Sequence, residues 1–280
     1  MGLINKILPS SLKPLSRDIG FILRSIVYTF KGIGKRQHPN PVLIIGNQKS
    51  GTSAIAALLG ALTKEKTSID LILSGFKPSL LTQWKKGNIS TSRFIKYHIS
   101  DFASKIIKEP HLSVFYKEIS SYYNECQIVM VVRNPFDNIR SILDRLNIKG
   151  NMESLDHNEY KKVFHSWKLL FDNSWIGGER EQYIEVLAER WNIITTTFLE
   201  NKDNIILIKY EDFINNKEFT IDKLAKTLNI EAKSKISHLV NKQYQPRGKQ
   251  KNMDIKEFFG EKNYNRIKDI CKNNMNKLSY

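Results

Sequence analysis

Pro41-Val42-Leu43-Ile44-Ile45-Gly46-Asn47-Gln48-Lys49-Ser50-Gly51-Thr52-Ser53-Ala54-Ile55-Ala56-Ala57-Leu58-Leu59 is the stretch that decides the fold. It opens as a short, wholly apolar run, the pattern of a strand buried on both faces of a parallel sheet. It closes as a small-residue helix able to pack tightly on that sheet. Between the two lies a loop spaced by Gly46 and Gly51. A glycine-spaced loop in this setting cradles anions, because its backbone N–H groups and the helix N-terminus converge on one point.

Working outward, Ile128-Val129-Met130-Val131-Val132 reads as a second buried strand. Arg133 ends it, and Asn134-Pro135 opens a helix with Asn as N-cap, Pro at the first helical position and Asp137 in the first turn. Ile205 to Ile208 is a third strand, ending in Lys209-Tyr210-Glu211-Asp212, and Ile106-Ile107-Lys108 a fourth, stopped by Pro110. Strands alternating with helices predict βαβ units, hence one α/β domain with a central, mainly parallel sheet flanked by helices. The acidic stretch 151–200, with Trp167, Trp175 and Trp191, reads as helices and loops over one side. No internal repeat or low-complexity linker interrupts the domain.

Residues 1–40 read as an appendage to a domain spanning 41–280, with His38-Pro39-Asn40-Pro41 as the break. Ser16 to Phe30 can form a helix with Ile19, Ile22, Leu23, Ile26, Val27 and Phe30 on one face. That helix either docks on the domain or rests on an anionic membrane surface, so residues 16–31 are a candidate peripheral membrane contact. Docking is the expectation.

Composition narrows the class. A chain of 280 residues with 41% hydrophobic and 10% aromatic side chains is not disordered. Two cysteines, Cys126 and Cys271, cannot build a disulfide framework or a four-cysteine metal site. No run reaches the roughly 18 apolar residues of a membrane span, and no signal-peptide pattern is present, so the expected location is the cytoplasm. The net charge is +16, yet residues 151–230 carry a net −4. A solvated lysine-rich surface and a polyanionic ligand both fit this excess. Nucleic acid does not, because arginines and aromatics form no interleaved stripe.

The loop tests a nucleotide-triphosphatase reading. Against G-x-x-x-x-G-K-[ST] both glycines match, but Thr52 stands at the lysine position and Lys49 lies two residues before the second glycine. A kinase would lack the lysine that spans its β- and γ-phosphates. Lys49-Ser50-Gly51-Thr52-Ser53 instead resembles the 5′-phosphosulfate loop [RK]-S-G-T-[ST] of sulfotransferases that use 3′-phosphoadenosine-5′-phosphosulfate (PAPS). Arg133-Asn134-Pro135-Phe136-Asp137-Asn138-Ile139-Arg140-Ser141 resembles that family's 3′-phosphate motif, R-[ND]-P-x-D-x-x-x-S. The spacing has a physical sense. Arg133 leaves the carboxyl end of a parallel strand, where ligands bind, and Ser141 lies about two turns into the next helix. A guanidinium fork plus a hydroxyl suits a terminal phosphate.

Weaker matches cover the rest of 41–280. Lys108-Glu109-Pro110 resembles the K-[DE]-P element of bacterial and protein-tyrosine sulfotransferases, with His111 where bacterial relatives often have Arg. Lys209 to Phe213 resembles R-Y-E-D-L, a mostly structural strand end. Arg247-Gly248-Lys249 lies where many members close a basic loop over the 3′-phosphate. Lys277-Leu278-Ser279-Tyr280 resembles the closing L-G-Y, with Ser for Gly.

The resemblance implies sulfuryl transfer from PAPS to a hydroxyl acceptor, with carbohydrate preferred on the bacterial likeness and peptide tyrosine and lipid behind it. The implied donor site is Lys49, Ser50, Gly51, Thr52, Ser53, Arg133, Ser141, Arg247, Gly248 and Lys249. Lys49 would neutralise the bridging oxygen and Lys108 would support charge near the leaving group. Asp70 lies as far past the loop glycine as the catalytic carboxylate of the protein-tyrosine branch. Its apolar neighbours Leu71-Ile72-Leu73 would raise its pKa toward a general base's range. Glu65, His98 and His111 stay open as alternatives. No metal is called for, since the transferred group carries less charge than a phosphoryl group. The rival readings are a P-loop kinase and a non-catalytic nucleotide-binding adaptor of the same fold.

Overall fold

The computed structural model describes residue 28 and residues 30–163, 165–245 and 253–280. The apolar run after Pro41 forms strand β1 (Val42–Gly46), buried along its whole length. Four more strands accompany it: β2 (Thr67–Ile69), β3 (Ile106–Lys108), β4 (Gln127–Val132) and β5 (Ile205–Lys209). They pair in the order β2-β3-β1-β4-β5, every neighbour parallel. Leu43 of β1 registers with Ile107 of β3 and Ile128 of β4. The expected parallel sheet is thus present, with β2 added to it. Residues 67–69 carry no apolar run, and Ile69 is exposed, so this edge strand left no pattern to read.

Side-chain alternation along the strands builds two apolar layers. Val42, Ile44, Val129 and Val131 face helix α1 (Thr52–Thr63), which buries Ile55, Leu58, Leu59 and Leu62. Each such side chain contributes about 1.5–3 kcal/mol by leaving water. Leu43, Ile45, Met130 and Val132 face the larger layer. That layer contains α2 (Pro135–Leu146), α3 (Tyr183–Glu200) and α4 (Ile255–Lys277), with α3 and α4 packed side by side. Trp175 and Trp191 are buried in this second core, whereas Trp167 is only partly buried.

Of the expected amino-terminal helix, residues 16–27 and 29 lie outside the described residues. Tyr28 is buried, and its hydroxyl donates to Asp101, while Ser100 Oγ donates to Tyr28 O at 3.3 Å. Phe30, expected on the apolar face, is instead 67% exposed. No described helix is long and apolar enough to cross a membrane.

Candidate active site

A parallel sheet brings all its carboxyl ends to one edge, and here every strand ends in a polar residue aimed at the same space. The loop 47–50 follows β1, Asp70 follows β2, Lys108 closes β3, Arg133 follows β4 and Tyr210 follows β5. Lys49, Asp70, Lys108, Arg133 and Tyr210 all line one cavity of about 570 Å³. That volume is in the range of small-molecule sites.

The loop is shaped by its glycines and braced from below. At Gly46 a Cβ would stand 2.3 Å from Val131 O, and at Gly51 2.4 Å from the Tyr210 ring. Gly46 N donates to Ser113 Oγ at 2.7 Å, Asn47 Nδ2 to Asn138 Oδ1 at 2.8 Å, and Asn138 Nδ2 to Gln48 O at 2.8 Å. Helix α1 starts at Gly51 with no side-chain cap and no acidic residue in its first turn. Its first N–H groups therefore keep their affinity for an anion. Helix α2 makes the contrast, since Asn134 Oδ1 caps it by accepting from Phe136 N at 3.0 Å.

Thr52 and Ser53 line the cavity beside Lys49 and Gly51. Ser50 does not, because its hydroxyl turns inward and donates to Asn47 O at 2.7 Å. Gln245 bridges the loop from above: Lys49 Nζ donates to its Oε1 at 3.2 Å, and its Nε2 donates to Ser53 Oγ at 2.8 Å. Burial, then the charges of Arg145, Arg133 and Lys108, bring the Lys49 pKa down to about 8.

Arg133 is held at three points. Its carbonyl accepts from Trp191 Nε1 at 2.9 Å, its Nη1 donates to Lys49 O at 3.1 Å, and its guanidinium lies 4.6 Å from the Tyr210 ring centre. Its Nε is buried without a hydrogen-bond partner among the described residues. A buried donor left unpaired is costly, so it fits an anionic ligand. Ser141 lines the same cavity. The strand end after β5 braces the site. Tyr210 packs on Gly51 and Arg133, and Glu211 accepts from Asn134 N at 2.9 Å and Tyr280 OH at 2.8 Å.

The opposite wall carries the remaining candidates. Lys108 Nζ donates to Asp70; the Lys108 side chain is 3% exposed and that of Asp70 56%. Asp70 therefore opens into the cavity rather than sitting among apolar neighbours. The cavity walls still strip enough water from it to raise its pKa, with Lys108 opposing. Glu109 and His111 lie buried in the cavity floor as a hydrogen-bonded couple, Nδ1 to Oε1 2.9 Å. The sequence reading gave Glu109 no role. An acidic residue directly after a buried strand and before Pro110 was the signal available. Glu65 pairs with Lys233 at 3.7 Å outside the cavity lining. His98 is core, its Nε2 2.8 Å from Ser74 Oγ. Arg247, Gly248 and Lys249 lie outside the described residues.

The sequence model of the sulfotransferase domain family matches residues 39–279. No curated protein sequence matches the chain significantly. Among solved structures it resembles sulfotransferase STF9 from Mycobacterium avium, at 10% identity over 90% of this chain and 81% of that one, TM-score 0.51. Mouse sulfotransferase SULT7A1, solved with PAP, is 14% identical over 89% of each chain, TM-score 0.49. A sulfotransferase from Alicyclobacillus acidocaldarius is 15% identical over 84% of this chain and 96% of that one, TM-score 0.44. The Mycobacterium likeness is one of fold, and the family match spans nearly the whole domain. This chain belongs to the sulfotransferase family and is an enzyme of sulfotransfer.

Proposed function

We propose that this sulfotransferase takes its sulfuryl group from PAPS and passes it to a hydroxyl acceptor, a carbohydrate by preference. The observation that carries the donor is Arg133, whose buried Nε lacks a partner beside the uncapped start of α1. The 5′ end of the donor belongs on the loop, with Gly51, Thr52 and Ser53. Its 3′-phosphate belongs with Arg133 and Ser141, and Arg247, Gly248 and Lys249 are proposed to close over it. Tyr210, stacked on Arg133, offers an aromatic face to the same ligand. Carbohydrate rests on the bacterial likeness of Lys108-Glu109-Pro110 and on the partly buried Trp167 in the cavity wall, since aromatic faces suit sugar rings.

The reaction asks the protein for positioning and charge stabilisation. Asp70 takes the acceptor's proton as the new O–S bond forms. Lys49 meets the negative charge that builds on the bridging oxygen as the old S–O bond breaks. Lys108 keeps Asp70 ionised and adds positive charge beside the reacting group. The raised pKa of Asp70 makes it a stronger base than an ordinary carboxylate.

Calorimetric titration with 3′,5′-adenosine bisphosphate (PAP), with ATP plus Mg²⁺ in parallel, tests this. Tight, metal-independent binding of PAP, with ATP much weaker, is the expected result. The reverse preference would overturn the donor assignment and favour the kinase. PAP binding with no sulfation across a panel of sugars, phenols and lipids would leave only the adaptor reading.

A further inference from the structure

A buried polar chain in the cavity floor belongs to neither phosphate motif. Glu109 leaves β3 in an extended conformation and turns its carboxylate inward. Its Oε1 accepts from His111 N at 3.0 Å and lies 2.9 Å from His111 Nδ1, while its Oε2 accepts from Leu71 N at 2.9 Å. Across the imidazole, His111 Nε2 lies 3.2 Å from Gln48 Nε2. All three side chains are buried.

Hydrogen-bond chemistry fixes one proton. Burial alone pushes Glu109 up, but the hydrogen bond and charge of His111, the charge of Lys108 and the Leu71 N–H bring its pKa down to about 2. Arg190, fully buried, adds a further attractive charge from α3. An ionised carboxylate can only accept, so His111 Nδ1 carries hydrogen. On the far side of the ring His111 Nε2 meets the Gln48 side-chain amide, which links the imidazole to the loop.

The chain's two ends grip the neighbours of two unusual residues. Lys49, next to Gln48, and Asp70, next to Leu71, both have φ of 66°. Non-glycine residues held there cost roughly 1–3 kcal/mol each and persist only where their surroundings over-determine them. These are also the two residues that flank the reacting group on the proposed reading.

We propose that Glu109, His111 and Gln48 are positioning residues. One carboxylate fixes the Lys49 turn through His111 and Gln48, and the Asp70 turn through the Leu71 N–H. The donor cradle and the acceptor wall are thereby held in register. The proposal rests on reading the loop as the donor's 5′-phosphosulfate cradle.

Nitrogen-15 NMR of the imidazole rings in the full chain, with His111 assigned by His111→Phe, tests the chain without ligand. The expected signature is hydrogen on His111 Nδ1, lost in Glu109→Leu. A ring with no hydrogen on Nδ1 overturns the proposal. Calorimetry with PAP tests the link to the loop. Gln48→Leu and His111→Phe should each weaken binding about tenfold, the worth of one bond in a buried network, and the double variant no further. Additive losses, or no loss, overturn that link. If a variant fails to fold, the wild-type NMR signature still decides. If wild-type protein binds no PAP, the donor reading fails instead, and the NMR result stands apart from it.

Discussion

The two walls of the cavity are built in opposite ways. The wall proposed for the donor consists of a strand, a tight loop and a twelve-residue helix, repeated with variation at Arg133 and α2. Its key groups sit within a few residues of one another along the chain. The wall proposed for the acceptor is assembled from short pieces, Asp70 to Phe76, Lys108 to Val114 and the 165–170 turn, joined by contacts such as Glu109 to Leu71. Anion binding uses backbone N–H groups and helix ends, which a local sequence can specify alone. Placing a base against a nucleophile needs groups brought together from distant segments.

The largest expected effect falls on Lys49, which stands where the walls meet. Lys49→Ala should lower kcat by about 10²–10³-fold while changing donor affinity less, as for a group acting mainly in the transition state. Normal turnover would hand that role to Lys108. The same residue shapes the pH profile. With Asp70 active when deprotonated, kcat/KM should rise through an acid limb lying above the usual carboxylate range. With Lys49 active when protonated, it should fall again near pH 8, where its pKa lies. Asp70→Asn should remove the acid limb, and an unchanged limb would clear Asp70 of the base's role.

Next in size, Arg133→Ala should weaken PAP binding by about 2–3 kcal/mol, the worth of a charge-assisted contact to phosphate. A ligand lacking the 3′-phosphate should hardly notice the change. Equal losses for both ligands would break the division of the donor wall into two phosphate sites. The smallest effect concerns neither wall directly. Ser279 has φ of 56°, in the left-handed region, at the position where the family motif carries glycine. Ser279→Gly should stabilise the fold by under about 1 kcal/mol in urea unfolding, since glycine relieves the strain but gains freedom when unfolded. A loss of stability would assign Ser279 a side-chain contact.

The same contrast explains what could be read from sequence. The strands around Ile44, Ile107 and Met130 announced themselves because burial on both faces demands apolar runs. Edge strand β5 is only partly buried at Ile206 and Leu207 yet still carries an apolar run. Strand β2 did not, since an exposed edge of three residues makes no such demand. Arg133 was legible from its strand end and its Asn-Pro helix start. Its support by Trp191 and Tyr210 was not, because those residues are distant in sequence and meet it only in the fold. Ser50 matched the motif while its hydroxyl served the loop. Asp70 was expected among apolar neighbours, but the β2 edge turns it toward the cavity and Lys108 claims it.

The contact between Gly51 and Tyr210 carries a consequence for how such a site can change over generations. The ring of Tyr210 fills the space that any side chain at position 51 would need. Neither position can drift cheaply: a larger residue at 51 meets this ring as well as a left-handed φ of 101°, and a smaller 210 removes the support under Arg133. The 51–210 pair should therefore be inherited as a unit, tying the phosphate loop to a strand end more than 150 residues away.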